Sequence, residues 1–310
     1  MTANILFSAR DALWPVYEPL ITRYLTEAGV AFTLSRDLAP DEVDYVVYAP
    51  NGGVSDFTPF TRLKAVLSLW AGVEKIVGNE SLQVPLARMV DHGLAEGMTE
   101  WVTGHVLRYH LGMDSHIVNP NHEWLFNPAP LARDRKVTIL GLGALGEAAA
   151  QALTALNFQV SGWSRSPKDI PDVTCHHGDP GLAEALAGAE IVVLLLPDTP
   201  ATTNILNADT LTLLAPGARI INPGRGPLID DDALLAALDN GQVGHATLDV
   251  FRVEPLPADH PYWAHPNVTV TPHIASETRP VTAAQVICEN IRRGEAGEPF
   301  QHLVDRQLGY

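Results

Sequence analysis

The sequence is poor in cysteine and in basic residues. Its 310 residues include 2 cysteines and 20 lysines and arginines, against 36 aspartates and glutamates, for a formal net charge of −16. The acidic excess argues against nucleic acid as a partner, because its binding needs clustered basic residues that displace counterions. It argues equally against an anionic membrane surface. Cys175 and Cys288 show neither CxxC nor cysteine–histidine spacing, which disfavours a disulfide framework or a metal site and favours reduced thiols in the cytoplasm.

Long hydrophobic runs are also missing. The longest apolar stretches, at 65–73 and 191–197, fall far short of the roughly 20 residues that a membrane span needs. Residues 1–8 contain no basic region followed by a long apolar stretch, so the sequence predicts no signal peptide. A hydrophobic content of 46% with 18% charged residues is typical of a globular chain. At about 150 residues per domain, the length predicts two domains.

Short apolar runs alternate with helical patterns along most of the chain. Strands are predicted at 4–7, 31–34, 45–48, 65–69, 136–140, 158–163, 191–196, 218–221, 245–250 and 268–270. Helices are predicted at 11–28, 96–110, 145–156, 182–187, 211–214, 231–238 and 281–292. This alternation predicts an α/β fold with a doubly wound parallel-sheet (Rossmann) cofactor domain and a smaller, flavodoxin-like α/β substrate domain.

The order of these elements also predicts where the domains divide. The helix at 96–110 and the proline- and asparagine-rich stretch at 119–130 lead into the more regular second half. The helix at 281–292 is expected to cross back, so that the tail at 300–310 packs on the first unit. We therefore predict a discontinuous substrate domain, 1–100 and 277–310, around a dinucleotide-binding domain at 101–276.

A glycine motif, Gly141-Leu-Gly143-Ala-Leu-Gly146, follows a predicted strand and opens a predicted helix. The first glycine permits a tight turn, the second lets the backbone approach a pyrophosphate, and the third allows close packing of helix on strand. The helix start, at Ala144 and Leu145, offers free N–H groups and a positive dipole to phosphates. The motif therefore predicts a dinucleotide site, with glycines that merely serve a turn as the alternative.

The end of the following strand indicates which dinucleotide binds. NAD sites place an acidic residue about 20 residues after the motif, where it bonds the ribose 2′-hydroxyl. No acidic residue lies between Ala148 and Lys168, and Arg165 stands there between Ser164 and Ser166. A guanidinium binds phosphate bidentately and hydroxyls add bonds, so the turn predicts NADP, with Lys168 beside it and NAD as the second candidate. The alternative is a solvated basic turn.

Three further residues each follow a predicted strand: Arg225, Glu254 and His273. Ligands of open α/β sheets bind beyond the carboxyl ends of the strands, so we expect these side chains to converge. Arg225 can bind a carboxylate and polarise a carbonyl, His273 can transfer a proton, and Glu254 can orient the imidazole and stabilise its charged form. Alternatively, Arg225 braces its loop, Glu254 pairs with Arg252, and His273 is an ordinary loop histidine.

Five motifs occur in an order and spacing that span about half of the chain. They are Gly141-Leu-Gly-Ala-Leu-Gly146, Leu196-Pro-Asp-Thr-Pro-Ala-Thr-Thr203, Asn222-Pro-Gly-Arg-Gly226, Leu248-Asp-Val-Phe-Arg-Val-Glu-Pro255 and Thr271-Pro-His-Ile-Ala-Ser276. In these motifs the sequence resembles the D-isomer-specific 2-hydroxyacid dehydrogenases. Arg225, Glu254 and His273 match the catalytic triad of that family. Pro223 departs from its pattern, since a small aliphatic residue is commoner there.

The resemblance implies further site residues. Asp249 would contact the nicotinamide amide, and Pro197 and Thr202 would belong to the cofactor site. The segment Trp70-Ala71-Gly72-Val73 would bind substrate, with N–H groups meeting its carboxylate beside Arg225. Trp101 and Arg279 are further candidates for lining the substrate pocket. The helix at 96–110 and the loop at 119–130 would form a homodimer interface, the alternative being an interdomain helix and a surface loop.

Finer features resemble the glyoxylate/hydroxypyruvate reductase A subgroup of that family. They are Trp70-Ala-Gly-Val73, Ala87-Arg-Met-Val-Asp-His-Gly-Leu-Ala95, Met98-Thr-Glu-Trp101 and the serine–arginine–serine turn. This likeness implies NADPH-dependent reduction of glyoxylate and hydroxypyruvate, with His273 as the proton donor. The alternatives are another specificity within the family or a cofactor-sensing binding module on the same fold. Formate is disfavoured, because formate enzymes of this superfamily pair the histidine with glutamine and here the partner is Glu254.

Overall fold

The computed structural model describes residues 2–309 and separates them into two compact units. The first unit ends at Leu94 and resumes at Thr278, and the second is Ala95–Glu277. The first division thus lies at Leu94 rather than at residue 100. Residues of the crossing helix, beginning with Met98, are already buried in the core of the second unit, which explains the earlier boundary.

The strands and helices follow the predicted order. The strands are β1 (Ala3–Ser8), β2 (Phe32–Ser35), β3 (Tyr45–Tyr48), β4 (Ala65–Ser68), β5 (Leu86–Ala87), β6 (Lys136–Leu140), β7 (Gln159–Ser164), β8 (Val173–His177), β9 (Ile191–Leu194), β10 (Ala218–Asn222), β11 (Val243–Leu248) and β12 (Val268–Val270). The α-helices are α1 (Trp14–Glu27), α2 (His92–His110), α3 (Asp114–Ile117), α4 (Ala144–Ala155), α5 (Gly178–Leu186), α6 (Ala208–Leu211), α7 (Asp231–Asp239) and α8 (Pro280–Ala296).

The first unit is built on a five-stranded parallel sheet in the order β2-β1-β3-β4-β5. This is the strand order of the flavodoxin-like fold. Helices α1 and α8 cover one face, with Ile21 and Ile287 buried against Ile5 and Leu67 of the sheet. The predicted flavodoxin-like architecture of this unit is therefore confirmed.

The second unit is a seven-stranded parallel sheet in the order β12-β11-β10-β9-β6-β7-β8. Read from β8, this is the Rossmann order with β12 added as an extra edge strand. Each face of the sheet carries its own apolar core, one including Leu194 and Leu248 and the other including Ile139 and Val193. The strand order reverses between β6 and β9, and such a switch point is where open α/β sheets bind ligands.

One predicted helix lies at slightly different residues, and two strands were missed. The short helix expected at 211–214 is α6, because the Asn207 side chain accepts the Asp209 and Thr210 N–H groups and starts the helix early. Strands β5 and β8 were not predicted. β5 has only two residues, and β8 is an edge strand without a buried residue, so neither offers a strong apolar pattern. Within residues 2–309, the helices are too short or too polar to span a membrane.

Candidate active site

The glycine motif forms the turn between β6 and α4. Gly141 has a φ of 109°, and a Cβ there would lie 2.6 Å from the Leu195 backbone. A Cβ at Gly146 would overlap the carbonyl oxygen of Gly141, so close packing of helix on strand requires glycine. Gly143 is exposed at the N-cap of α4 with open space where its Cβ would stand. The start of the helix, at Ala144, is therefore open to solvent and fits the pyrophosphate of a dinucleotide.

The turn after β7 presents basic side chains. Ser164 is buried, and its hydroxyl donates to the carbonyl of Ser166 over 2.7 Å, so it closes the turn. Arg165, Ser166 and Lys168 are exposed. Two cationic side chains and a hydroxyl thus stand where NAD-specific sites carry a carboxylate. The sequence predicted that Ser164, Arg165, Ser166 and Lys168 surround the 2′-phosphate. The Ser164 hydroxyl is instead used to close the turn.

The loop after β9 is folded back by one threonine. The buried Thr202 hydroxyl donates to the Pro197 carbonyl over 2.7 Å and accepts the Thr199 N–H over 2.9 Å. Leu195, two residues before Pro197, is the residue whose backbone lies against Gly141. The segment at 197–202 therefore begins beside the glycine turn.

Arg225 lies on a turn that Asn222 closes. The buried Asn222 amide donates to the Arg225 carbonyl over 2.9 Å and accepts the Gly224 N–H over 3.1 Å. The guanidinium of Arg225 is partly exposed, and its Nη1 donates to the Gly224 carbonyl over 2.7 Å. At Gly226 a Cβ would overlap the backbone of Phe251. The arginine turn therefore packs directly on the loop that carries Glu254.

Glu254 and His273 are joined by a side-chain hydrogen bond. Glu254 Oε2 lies 2.8 Å from His273 Nδ1, and Glu254 Oε1 accepts the Phe251 N–H over 3.0 Å. The His273 side chain is 50% exposed, so Nε2 is the ring atom that can meet a substrate. Arg252 pairs with Asp231 over 3.3 Å, which excludes the sequence alternative that it neutralises Glu254. A carboxylate in this position orients the imidazole and stabilises its charged form.

Asp249 is fully buried and organises the His273 loop. Its Oδ1 accepts from Ile274 N (2.9 Å) and Thr271 Oγ1 (2.6 Å), and its Oδ2 accepts from Ala275 N (2.9 Å). The backbone N–H of His273 donates to the Asp249 carbonyl over 2.8 Å, and His273 has a φ of 55°. The carboxylate assigned to the nicotinamide amide thus serves three protein donors. Sequence reasoning missed this role and that of Asn222.

The proposed substrate loop follows β4 in the first unit. Ser68 Oγ bonds both the N–H and the carbonyl of Trp70 over 3.0 Å, and that carbonyl also accepts the Met89 N–H. Val73 is buried, whereas Ala71 and Gly72 are partly exposed. The loop is therefore a fixed turn at the carboxyl end of a parallel strand.

The remaining sequence candidates have other surroundings. The Trp101 ring lies 4.2 Å from the His105 ring on the same helix, α2, and is partly buried. Arg279 is the N-cap residue of α8, where its side chain packs close to Gly93. Among the described residues, no group of three or more His, Cys, Asp or Glu side chains is placed to hold a metal ion.

A Rossmann sheet with an open glycine turn, a basic turn after the next strand, and a histidine paired with a glutamate whose loop packs on an arginine turn define a nucleotide-dependent dehydrogenase. The chain belongs to the D-isomer-specific 2-hydroxyacid dehydrogenases, whose NAD-binding-domain model matches residues 107–275. The family predicted from the sequence motifs is confirmed.

Individual relatives support this assignment. Over 257 residues the chain is 44% identical to glyoxylate/hydroxypyruvate reductase A of Serratia proteamaculans, covering 80% of this chain and 82% of the relative. The Photorhabdus laumondii protein of the same name is 41% identical, with the same coverage.

Two solved structures match over their full length and that of this chain. The D-isomer-specific 2-hydroxyacid dehydrogenase of Xanthobacter autotrophicus, in complex with NADPH and MES, has a TM-score of 0.93 at 39% identity. The NADPH-dependent glyoxylate/hydroxypyruvate reductase of Sinorhizobium meliloti, in complex with NADP and sulfate, has a TM-score of 0.83 at 33% identity.

Proposed function

We propose that this protein is an NADPH-dependent reductase of small 2-oxo acids, with glyoxylate and hydroxypyruvate as its main substrates. The observation that carries the proposal is the 2.8 Å pair of Glu254 with a half-exposed His273, beside the turn that bears Arg225. This set can bind a carboxylate and protonate a neighbouring oxygen. The names of the relatives from Serratia proteamaculans and Photorhabdus laumondii support the choice of substrates.

In the proposed mechanism, Arg225 binds the substrate carboxylate and polarises the adjacent carbonyl. His273, protonated and held by Glu254, donates a proton from Nε2 to the carbonyl oxygen, which becomes the hydroxyl of the product. Glu254 keeps the ring oriented and balances its charge. When bound, NADPH supplies the hydride that reduces the carbonyl carbon.

The cofactor is assigned to two turns. The glycine turn at Gly141 and Gly143, with the start of α4, would bind the pyrophosphate, and Arg165, Ser166 and Lys168 would bind the 2′-phosphate. Pro197 and Thr202 would line the same site. The solved relatives that hold NADPH or NADP support this preference, with NAD as the weaker cofactor.

Two finer assignments belong to the same proposal. The backbone N–H groups of Ala71, Gly72 and Val73 would bind the substrate carboxylate. Asp249 would act on the nicotinamide side through the loop that it holds, rather than through a free carboxylate.

We also propose that the protein is a cytoplasmic homodimer. The segment at 111–131 exposes several large apolar side chains, among them Trp124 (96%), Phe126 (86%), Val118 (73%) and Ile117 (68%). A monomer rarely exposes so many together, so we expect a second copy of this chain to cover them. Light scattering should give a dimer mass for the wild type and a monomer mass for a Trp124→Ser, Phe126→Ser variant. A monomeric wild type would refute this assignment.

A panel of 2-oxo acids assayed with NADPH and with NADH tests the main proposal. We expect glyoxylate and hydroxypyruvate to give the highest kcat/KM, with NADPH preferred. If none of the acids in the panel supported oxidation of NADPH, the result would favour a binding module on the same fold. A preference of tenfold or more for NADH would contradict the assignment of Arg165.

A further inference from the structure

Arg252 connects its own loop to two other loops of the second unit and to the start of helix α7. Its Nη2 donates to the side-chain oxygen of Asn204 and to the carbonyl of Ile229, and it lies 3.5 Å from the carbonyl of Pro227. Its Nε lies 3.3 Å from Asp231 Oδ2. The guanidinium offers five N–H donors in a rigid fork, which suits it to bind several acceptors together.

Each of these loops carries a residue assigned to the site. Asn204 comes two residues after Thr202, and Pro227 comes two residues after Arg225. Arg252 itself precedes Glu254 by two residues. One side chain therefore links the cofactor loop, the arginine turn and the glutamate loop.

The loops are also joined by backbone contacts, and Arg252 lies at their junction. Asn204 N donates to the Pro227 carbonyl over 2.8 Å, and Gly226 lies against the backbone of Phe251 and Arg252. The Asp231 carboxylate that faces Arg252 accepts from the buried Tyr262 hydroxyl over 2.9 Å and opens helix α7. Asp231, the acceptor of Arg252 Nε, is thus held in place by helix α7 and by Tyr262.

We propose that Arg252 is a positioning residue that sets the placement of Glu254 relative to Arg225. Its bonds go to neighbouring loops, whereas Glu254 is engaged by His273 and by the Phe251 N–H. Without the guanidinium, the segment at 251–254 loses its side-chain bonds to Pro227, Ile229 and Asp231. Glu254 then loses a fixed position beside His273. The inference deepens the proposed function and rests on it.

The test compares Arg252→Ala and Arg252→Lys with the wild type in NADPH oxidation by glyoxylate. A misplacement of about 1 Å can cost on the order of 100-fold, so we expect kcat to fall about 10–100-fold in Arg252→Ala. The KM for NADPH should change by less than about threefold, because the glycine turn and the turn at 164–168 are untouched and the Thr202 hydroxyl still holds the loop at 197–202. Lysine reaches fewer acceptors, so Arg252→Lys should fall between the two.

Arg135→Ala is the matched control. Arg135 Nη1 lies 2.7 Å from Glu190 Oε1 in the same unit, at the start of β6 and away from the site loops. We expect this variant to lose thermal stability while kcat stays within about twofold of the wild type, since it breaks an ion pair without moving the site.

A crystal structure of Arg252→Ala gives a readout that does not depend on activity. We expect the 2.8 Å contact between Glu254 Oε2 and His273 Nδ1 to be lost. An intact contact, together with a kcat like that of Arg135→Ala, would show that Arg252 is only structural and would overturn the inference. A wild type that turns over none of the 2-oxo acids would instead refute the proposed function, and the crystal structure would still decide the inference.

Discussion

Two groups of polar side chains are built around the same two strands, β11 and β12, and differ in where their hydrogen bonds go. The first, here called the α2 cluster, comprises Arg108, Tyr109, His245, Thr247 and Thr269. Arg108 Nη2 donates to Thr269 Oγ1 over 2.9 Å, His245 Nε2 lies 2.9 Å from the same oxygen, and the hydroxyls of Tyr109 and Thr247 bond each other. The polar groups of this cluster are hydrogen-bonded to one another.

The second group follows the carboxyl ends of those strands and comprises Asp249, Glu254 and His273. Here only Asp249 is buried, whereas Glu254 and His273 are exposed, and His273 has one nitrogen bound to Glu254. The difference is clearest in the two histidines. Burial and the neighbouring Arg108 lower the pKa of His245 to about 4, whereas His273 faces a carboxylate. This contrast supports the proposal that proton transfer takes place at the end of the strands, where a histidine has a carboxylate partner and an open face.

The largest expected effect comes from replacing these two histidines in turn. His273→Ala should lower kcat for glyoxylate about 10²–10⁴-fold, which is the usual cost of removing a positioned general acid. His245→Ala should keep kcat within about threefold, because a partly buried histidine with a pKa of about 4 is neutral near pH 7 and gives no proton. Steady-state kinetics with NADPH measure both. Equal losses of kcat in the two variants would contradict the distinction between the α2 cluster and the group that follows the strands.

A smaller effect is expected at the cofactor turn. Arg165→Ala should raise the KM for NADPH about 10-fold, since hydrogen bonds to charged groups contribute about 1.5–3 kcal/mol. The KM for NADH should change little, because NADH lacks the 2′-phosphate. Arg133→Ala, another exposed arginine of the same unit, serves as the control. An equal rise for both cofactors would show that Arg165 does not read the 2′-phosphate.

The smallest effect concerns stability against acid. The pKa of His245 in the folded chain, about 4, lies below its ordinary value of 6.5, so the unfolded chain binds a proton first as the pH falls. Stability from the neutral ring is complete above about pH 6.5 and is lost between there and about pH 4. Urea unfolding at pH 7.5 and at pH 5 should show a larger drop for the wild type than for His245→Asn. Equal drops would mean that His245 is not buried in its neutral form.

The sequence predicted the framework well where burial leaves a plain signal. The runs Tyr45–Tyr48 and Lys136–Leu140 have the predicted bounds, because strands covered on both faces read as continuous apolar segments. The pairing of Glu254 with His273 was predictable in kind, because parallel strands bring their carboxyl ends together. The early division at Leu94 was not, because a helical pattern does not reveal which core the helix joins.

The roles of Asp249 and Arg252 could not be found from sequence. Asp249 and Glu254 are both acidic residues after the same strand, and only the fold shows that one is fully buried while the other is exposed. Two of the four acceptors of Arg252 are backbone carbonyls, which every residue has, and the other two, Asn204 and Asp231, are distant in the sequence, so the set has no sequence signature. Positions defined by backbone contacts become visible only once the chain is folded.

The contact between Gly226 and the Phe251 backbone has a consequence for protein design. Two loops that share a backbone surface cannot be altered in shape independently, so a library that lengthens either one alone would mostly yield inactive variants. Transplanting this chemistry to another Rossmann scaffold would require moving 222–231, 249–254 and 271–275 as one cassette. To alter the substrate range, it is better to vary Trp70–Val73, the segment proposed to bind substrate, because those changes leave the three loop segments intact.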